Sequence, residues 1–215
     1  MKNIIPVIAI TGGPGAGKST CKPHIIKAFE SRGFSVLFVP ETATELFESG
    51  VRIGEDGVDE LTFQIQQLKM QLEKEHRYYE ILSAVKNPKK LLLTDRGTMD
   101  GAAYVPPGMF ETVVKDMGLR ISELCEERYD GVCHLESAAV GAAKFYTTEN
   151  NPVRKEKTAA EARKQDLRTR DVWARHPNFK VIESYPDFDQ KINLLFTALC
   201  EMVDIPAYYP GGCQI

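Results

Sequence analysis

The stretch Ile4-Ile5-Pro6-Val7-Ile8-Ala9-Ile10-Thr11-Gly12-Gly13-Pro14-Gly15-Ala16-Gly17-Lys18-Ser19-Thr20 decides the fold. Its first half, Ile4–Thr11, is a nearly continuous β-branched run interrupted by Pro6 and Ala9, the composition of a strand buried on both faces. Its second half, Gly12 to Ser19, fits the phosphate-loop pattern GxxxxGK[ST], with Thr20 following. Glycine is needed there because the backbone must curl its N–H groups around a β-phosphate with no side chain in the way. A helix opening at Lys18 aims the positive end of its dipole at the same anion. In this pattern Lys18 bridges the β- and γ-phosphates of a nucleoside triphosphate and the Ser19 hydroxyl holds Mg²⁺. Average residue frequencies give roughly a one per cent chance of the pattern in a chain of this length. The strand before it and the helix after it lower that figure, so a phosphate loop is the reading, not a flexible glycine turn.

Outward from the loop, apolar strands alternate with helical patterns, the signature of a parallel sheet with helices on both faces. Lys18–Arg32 reads as a helix closed by Gly33, with Pro23 removing one ladder bond and bending it. Ser35–Val39 is the second strand, and Thr42–Ser49 a short helix opened by a Thr42…Glu45 capping box. From Asp59 to Lys86 runs a long helix whose Leu61, Ile65, Leu68, Leu72, Tyr79 and Leu82 form one apolar stripe, with Asp59 as N-cap and Asn87-Pro88 as stop. Leu91–Asp95, Gly131–Leu135 and Lys180–Glu183 are the remaining strands. Residues 147–178 form a polar, basic, helix-containing segment with the character of a mobile lid, and the last helix begins near Asp187. Length and pattern together predict one α/β domain over 1–215, a three-layer sandwich around a five-stranded parallel sheet.

Composition removes several function classes. The 215 residues carry a net charge of −3 and a pI near 5.9, which speaks against non-specific nucleic-acid binding. No apolar run reaches the length of a membrane span, and the N-terminal run leads into glycines with no cleavage site, so a cytoplasmic protein is expected. The five cysteines (Cys21, Cys125, Cys133, Cys200, Cys213) show neither zinc nor disulfide spacing. Cys21, in the first turns of the helix after the loop, is expected to be buried and inert, with dipole activation as the rival reading.

Chemistry gathers at the strand ends. Asp95 closes an apolar strand as a second metal-binding carboxylate does, either at Mg²⁺ or as proton acceptor. Arg96 follows, placed to lay a guanidinium over reacting phosphates or to form a surface salt bridge. Glu41 ends the second strand and points to the ligand crevice of an open α/β sheet. There it meets an acceptor hydroxyl, or it complements the dipole of the following helix. Residues 41–60 hold seven acids and one Arg, whereas residues 154–176 hold eight Lys or Arg against four acids, including Arg154, Arg163, Arg168 and Arg170. A basic segment there suits a lid closing over a triphosphate, and the acidic region suits an acceptor that is not highly anionic.

The phosphate loop, Asp95-Arg96-Gly97, the acid after strand two and the basic segment before strand five together resemble the P-loop kinase group. More closely, the chain is similar to the NadR-like AAA domain family of P-loop kinase-like NTPases, which includes the N-terminal domain of TRPL translocation defect proteins. The similar stretches are Ile8–Thr20, Val39–Gly50, Leu93–Tyr104, Tyr129–Asn151 and Trp173–Ile192. The resemblance implies strand order 2-3-1-4-5, Lys18, Ser19 and Asp95 at Mg–nucleotide, and Arg154 and Arg163 as lid arginines. Two functions are compatible with it. One is a kinase acting on a small nucleoside-like or nicotinamide-riboside-like alcohol. The other is a regulatory ATP- or GTP-binding protein with slow hydrolysis that signals through a protein partner. No Asn-Lys-x-Asp guanine-reading motif is present, and the base is expected against the loop near Tyr185-Pro186.

Overall fold

The computed structural model describes residues 4–141 and 158–207. Five strands, β1 (Val7–Gly12), β2 (Ser35–Val39), β3 (Lys90–Asp95), β4 (Gly131–Leu135) and β5 (Phe179–Ile182), form one parallel sheet in the order β2-β3-β1-β4-β5. The fold class read from the sequence and the strand order that the resemblance implies are those found. The helices are α1 (Lys18–Glu30), α2 (Thr42–Glu48), α3 (Glu60–Ala84), α4 (Met109–Asp116), α5 (Ala138–Gly141), α6 (Ala159–Trp173) and α7 (Phe188–Met202).

The strands' two-residue period sorts their side chains between two cores. Ile8, Ile10, Leu91, Leu93, Cys133 and Leu135 pack beneath α1 and α7. Val7, Ala9, Leu92 and Val132 face the other way, toward α3, α4 and α6. Both faces are thus covered, which is why these strands read as continuous apolar runs. No helix among the described residues is long and apolar enough to cross a membrane.

Several local expectations shift. β1 begins at Val7, and Ile4 stands 97% exposed, because Pro6 donates no ladder hydrogen bond. α2 carries no capping box: Glu41 is its N-cap residue without a side-chain cap bond, and Thr42 Oγ1 donates instead to Gln71 Oε1 at 2.6 Å. Along the apolar stripe of α3 only Leu68 and Leu82 are fully enclosed, while Leu61, Ile65, Leu72 and Tyr79 are half-buried. Beside them the same helix buries Gln64, Gln71 and Glu75. Glu75 accepts from Arg128 Nε and from Tyr129 Oη at 2.8 Å, so α3 is tied to the sheet by a polar seam as well as an apolar one.

The described part of the basic segment is chiefly α6, opened by a true capping box between Thr158 and Glu161. Its outer face carries the charges. Its inner face does not behave as a detached lid: Trp173 is fully enclosed, and Ala162, Gln165, Asp166 and Thr169 are buried with it. Trp173 packs edge-on to Tyr129 with ring centroids 5.5 Å apart. Replacing Trp173 with Ala should lower unfolding stability by about 3–5 kcal/mol. Urea denaturation checks this, and an unchanged midpoint would mean that α6 is not anchored by this ring.

Candidate functional site

The carboxyl ends of β1, β2, β3 and β4 converge on one edge, where Gly12–Ser19 links β1 to α1. A trans peptide directs its C=O and N–H oppositely, and no cis bond occurs among the described residues. The partners of the loop's carbonyls therefore fix where its N–H groups point. Ser137 Oγ donates to Pro14 O, Ala138 N to Gly15 O at 3.2 Å, and Lys191 Nζ to Ala16 O at 2.8 Å. Held outward in this way, these carbonyls turn the N–H groups of Gly15, Ala16 and Gly17 toward the concave side, where an anion fits. Ala16 N also donates to Gly13 O at 3.2 Å.

Gly13 is the exception. Its N–H donates outward to Asp166 Oδ1 on α6 at 2.9 Å, and the same oxygen accepts from Ser137 N at 2.9 Å. A Cβ at Gly13 would sit 2.5 Å from that oxygen and 2.7 Å from the Asp166 Cα. Glycine is thus required at position 13 by the approach of α6. Gly17 takes φ of 85° at the head of α1, a left-handed conformation that favours glycine, and a Cβ there would meet the Phe188 ring at 2.6 Å. Ser19 and Thr20 lie exposed in the first turn of α1. Cys21, one residue on, is buried, and burial pushes its thiol up to about 11 against the smaller opposing pull of Lys191, so it is inert as expected.

Beside the loop stand four charges. Lys18 Nζ lies 3.8 Å from Asp95 Oδ1, and that oxygen is buried with no hydrogen-bond partner. Burial raises the Asp95 pKa, opposed by Lys18. An enclosed, unpartnered carboxylate oxygen facing a lysine at the mouth of a phosphate loop fits a hard cation or its bound water. Glu41 Oε1 accepts from Arg96 Nε at 2.6 Å. Burial pushes the Glu41 carboxyl up, but Arg96 and Lys18 more than reverse this and hold it near 2.

Arg96 is neither exposed nor a surface salt bridge. Its φ of 65° is left-handed, a strained state for a non-glycine residue, and hydrogen bonds from its backbone and its guanidinium hold it there. Its N–H donates to Ile10 O at 3.0 Å and its C=O accepts from Thr94 Oγ1 at 2.6 Å. Its Nη1 donates to Gly12 O and to Asp100 Oδ1, both at 3.1 Å, and its guanidinium carbon lies 5.4 Å from the Tyr104 ring centre. Burial alone would lower its pKa, but Glu41, Tyr104 and Asp100 drive it well above the usual value, so it stays charged.

Asp100, 1% exposed, is the hub of this arrangement. Oδ1 also accepts from Thr11 Oγ1 at 2.5 Å, while Oδ2 accepts from Gly97 N at 2.8 Å and Trp173 Nε1 at 3.1 Å. Gly97 has no room for a Cβ, which would meet the Trp173 ring at 2.8 Å. The sequence reading singled out neither Asp100 nor Asp166, Ser137 or Lys191. Only Asp100 left a trace, four residues beyond Arg96 on a tight turn.

Of the two arginines expected in a lid, Arg154 lies outside the described residues. Arg163 donates through Nε to Ala139 O, and Arg168 through Nη2 to Val105 O at 2.8 Å. Tyr185 Oη donates to Glu183 Oε2 at 3.2 Å on the loop leading to α7.

Against known proteins, the family model for the AAA domain matches residues 7–191. No curated protein matches the sequence. Among solved structures, NadR in complex with NR superposes with a TM-score of 0.68 at 15% identity, covering 98% of this chain and 55% of NadR. NadR in complex with NAD and AMP-PNP gives 0.64 at 14% identity, covering 96% of this chain and 51% of that one. The chain therefore spans about half the length of NadR. Deoxyadenosine kinase from M. mycoides with bound dATP gives 0.56 at 16% identity over 90% of this chain and 98% of the kinase. At these identities the likeness establishes the fold, that of P-loop kinase-like NTPases.

Two predictions follow from this geometry. Gly13→Ala should push Asp166 and α6 off the loop and cost about 2–4 kcal/mol; an unchanged urea midpoint would mean that α6 yields freely. Because the Glu41 carboxyl is held near 2 in the folded state against 4.5 ordinarily, its contribution is complete above 4.5. That contribution is lost as pH falls through 2 and amounts to about 3 kcal/mol. Stability measured from pH 5 to pH 2.5 should fall less steeply in Glu41→Gln than in wild type, and parallel slopes would contradict the pairing.

Proposed function

The chain belongs to the AAA domain family, and on that premise we propose that it binds a magnesium nucleoside triphosphate, ATP or GTP, on Gly12–Thr20. The reaction we assign is transfer of the γ-phosphoryl group to the hydroxyl of a small nucleoside-like acceptor. The observation that carries this reading is the pairing, at one strand edge, of an unpartnered buried Asp95 oxygen facing Lys18 with a second carboxylate, Glu41, fixed by Arg96.

In this reading Gly12, Gly13, Pro14, Gly15, Ala16 and Gly17 form the cradle, and Lys18 follows the charge that builds on the γ-phosphoryl oxygens. Ser19 and Asp95 would hold Mg²⁺, which would supply neutralising charge to the phosphates, and Thr20 lies beside Ser19 in the first turn of α1. Arg96, permanently charged and immobile, offers a preformed electrostatic partner at the strand ends and needs no reorganisation during reaction. Glu41 uses one oxygen on Arg96 and orients the acceptor hydroxyl with the other.

The acceptor oxygen bonds to the γ-phosphorus as the bond from phosphorus to the β–γ bridging oxygen breaks, releasing nucleoside diphosphate. A carboxylate near 2 is a weak base, so it takes the hydroxyl proton late, when the new bond to phosphorus has already made that proton acidic. Arg163 and Arg154 remain the arginines assigned to a lid over the triphosphate, and the whole chain is read as one domain. The acidic surroundings of Glu41 favour a neutral alcohol as acceptor.

Release of nucleoside diphosphate from Mg-ATP and Mg-GTP, measured with and without a panel of nucleosides and ribosyl-pyridines, tests the proposal. The expected result is turnover stimulated by one acceptor class and reduced about a hundredfold or more in Lys18→Ala. Tight binding with slow hydrolysis that no acceptor stimulates would overturn the kinase and leave a regulatory nucleotide-binding protein with a protein partner.

A further inference from the structure

Lys191 lies in the first turn of α7, 2% exposed, on the outer side of the phosphate loop. Its ammonium donates to two backbone carbonyls, Ala16 O at 2.8 Å and Glu136 O at 2.6 Å. Neither partner is a carboxylate, so the charge is enclosed without a direct counter-ion bond. That is a costly arrangement in a core, where an apolar side chain of similar length would pack more favourably. The cost points to a role for the charge. The Ala16 carbonyl it holds belongs to the peptide whose N–H is that of Gly17, the residue immediately before Lys18. A trans peptide pulled outward at its oxygen presents its hydrogen inward.

We propose that Lys191 is a positioning residue of the phosphate loop, aiming the Gly17 N–H at a bound phosphate and placing a second positive charge behind it. The inference rests on the nucleotide reading of the loop. Ser137 and Ala138 hold the neighbouring carbonyls with neutral donors, so Lys191 is the one member of this outer set, among the described residues, that adds charge as well as direction.

The surroundings of Lys191 make that charge sensitive to an anion. Burial lowers its pKa to about 8, with Cys21 on α1, Asp166 on α6 and Glu136 after β4 pulling upward and Lys18 across the loop pushing down. Cys21 stays neutral to about 11 and does not compete in this range. A phosphate between the two lysines offsets both burial and repulsion, so binding raises the pKa and draws a proton onto Lys191. The linkage sign is then fixed: affinity is full below about 8 and declines as pH rises, because the neutral amine must first be protonated.

Calorimetric titration of the full chain with Mg-ATP and Mg-GTP, in wild type and Lys191→Met, provides the test. At pH 7 Lys191→Met should bind the preferred nucleotide about tenfold more weakly. Wild-type affinity should fall by roughly three- to tenfold between pH 7 and pH 9.5, and the Lys191→Met profile should flatten over that range. Should Lys191→Met fail to fold, wild type alone decides: titration at pH 8.5 in two buffers of different ionisation heat should show uptake of about half a proton on binding. Wild-type binding with no proton uptake, or a folded Lys191→Met protein with wild-type affinity, overturns the role of Lys191 while leaving the nucleotide reading intact. A wild-type chain that binds neither nucleotide at pH 7 overturns the nucleotide reading and this inference with it.

Discussion

The opposed directions of N–H and C=O in a trans peptide govern this site. A loop that offers several N–H groups to one anion must send as many carbonyls elsewhere, and buried carbonyls need donors. Here the donors come from three places that the sheet brings behind the loop: the turn after β4, helix α5 and helix α7. The cradle is therefore a property of the whole layer behind it. Its outward carbonyls are held by these donors, and the reorganisation left to binding is chiefly the release of the Ala16 N–H from Gly13 O.

A second consequence concerns the neighbouring turn. Arg96 could extend from β3 into solvent in an ordinary conformation. Held left-handed at a cost of about 1–3 kcal/mol, it folds its guanidinium back over the sheet edge. There Glu41 from the end of β2 and Asp100 from the following turn meet it. Buried charges persist only when paired and hydrogen-bonded, and Asp100 meets that demand with donors from β1, the turn itself and α6. Helix α6 thus touches both halves of the site, the phosphate loop through Asp166 and the arginine turn through Trp173. Movement of its inner face would disturb both at once, so any lid motion is confined to what lies outside that packed face.

The parts legible in the sequence were those written in local spacing. Glycine intervals announced the loop, a continuous apolar run announced a strand covered on both sides, and Asp59 and Asp187 announced helix starts that the structure bears out. What stayed hidden was long-range. Asp166 meets Gly13 across 153 positions and Lys191 meets Ala16 across 175, and nothing in a charged residue on an amphipathic helix distinguishes an enclosed one from a solvated one. The Thr42…Glu45 box failed for the same reason. Its local geometry was sound, but Gln71, arriving from α3, captured the Thr42 hydroxyl, and Lys74 paired with Glu45. Local capping lost to a tertiary partner.

The same contrast separates Asp95 and Glu41, both of which the sequence allowed to meet the acceptor hydroxyl. Glu41 and Asp95 end adjacent strands and both sit near Lys18, yet their surroundings drive them apart. Glu41, bonded to an immobile guanidinium, is held near 2 and is ionised across the physiological range. Asp95, enclosed and with one oxygen lacking any donor, is raised. A carboxylate already committed to arginine gains little from a cation. One short of a partner gains a great deal, and a divalent ion would drive off any proton it holds. On the proposed reaction this assigns the metal to Asp95 and the acceptor hydroxyl to Glu41. The division follows from which neighbour each carboxylate already has, and not from its position at a strand end.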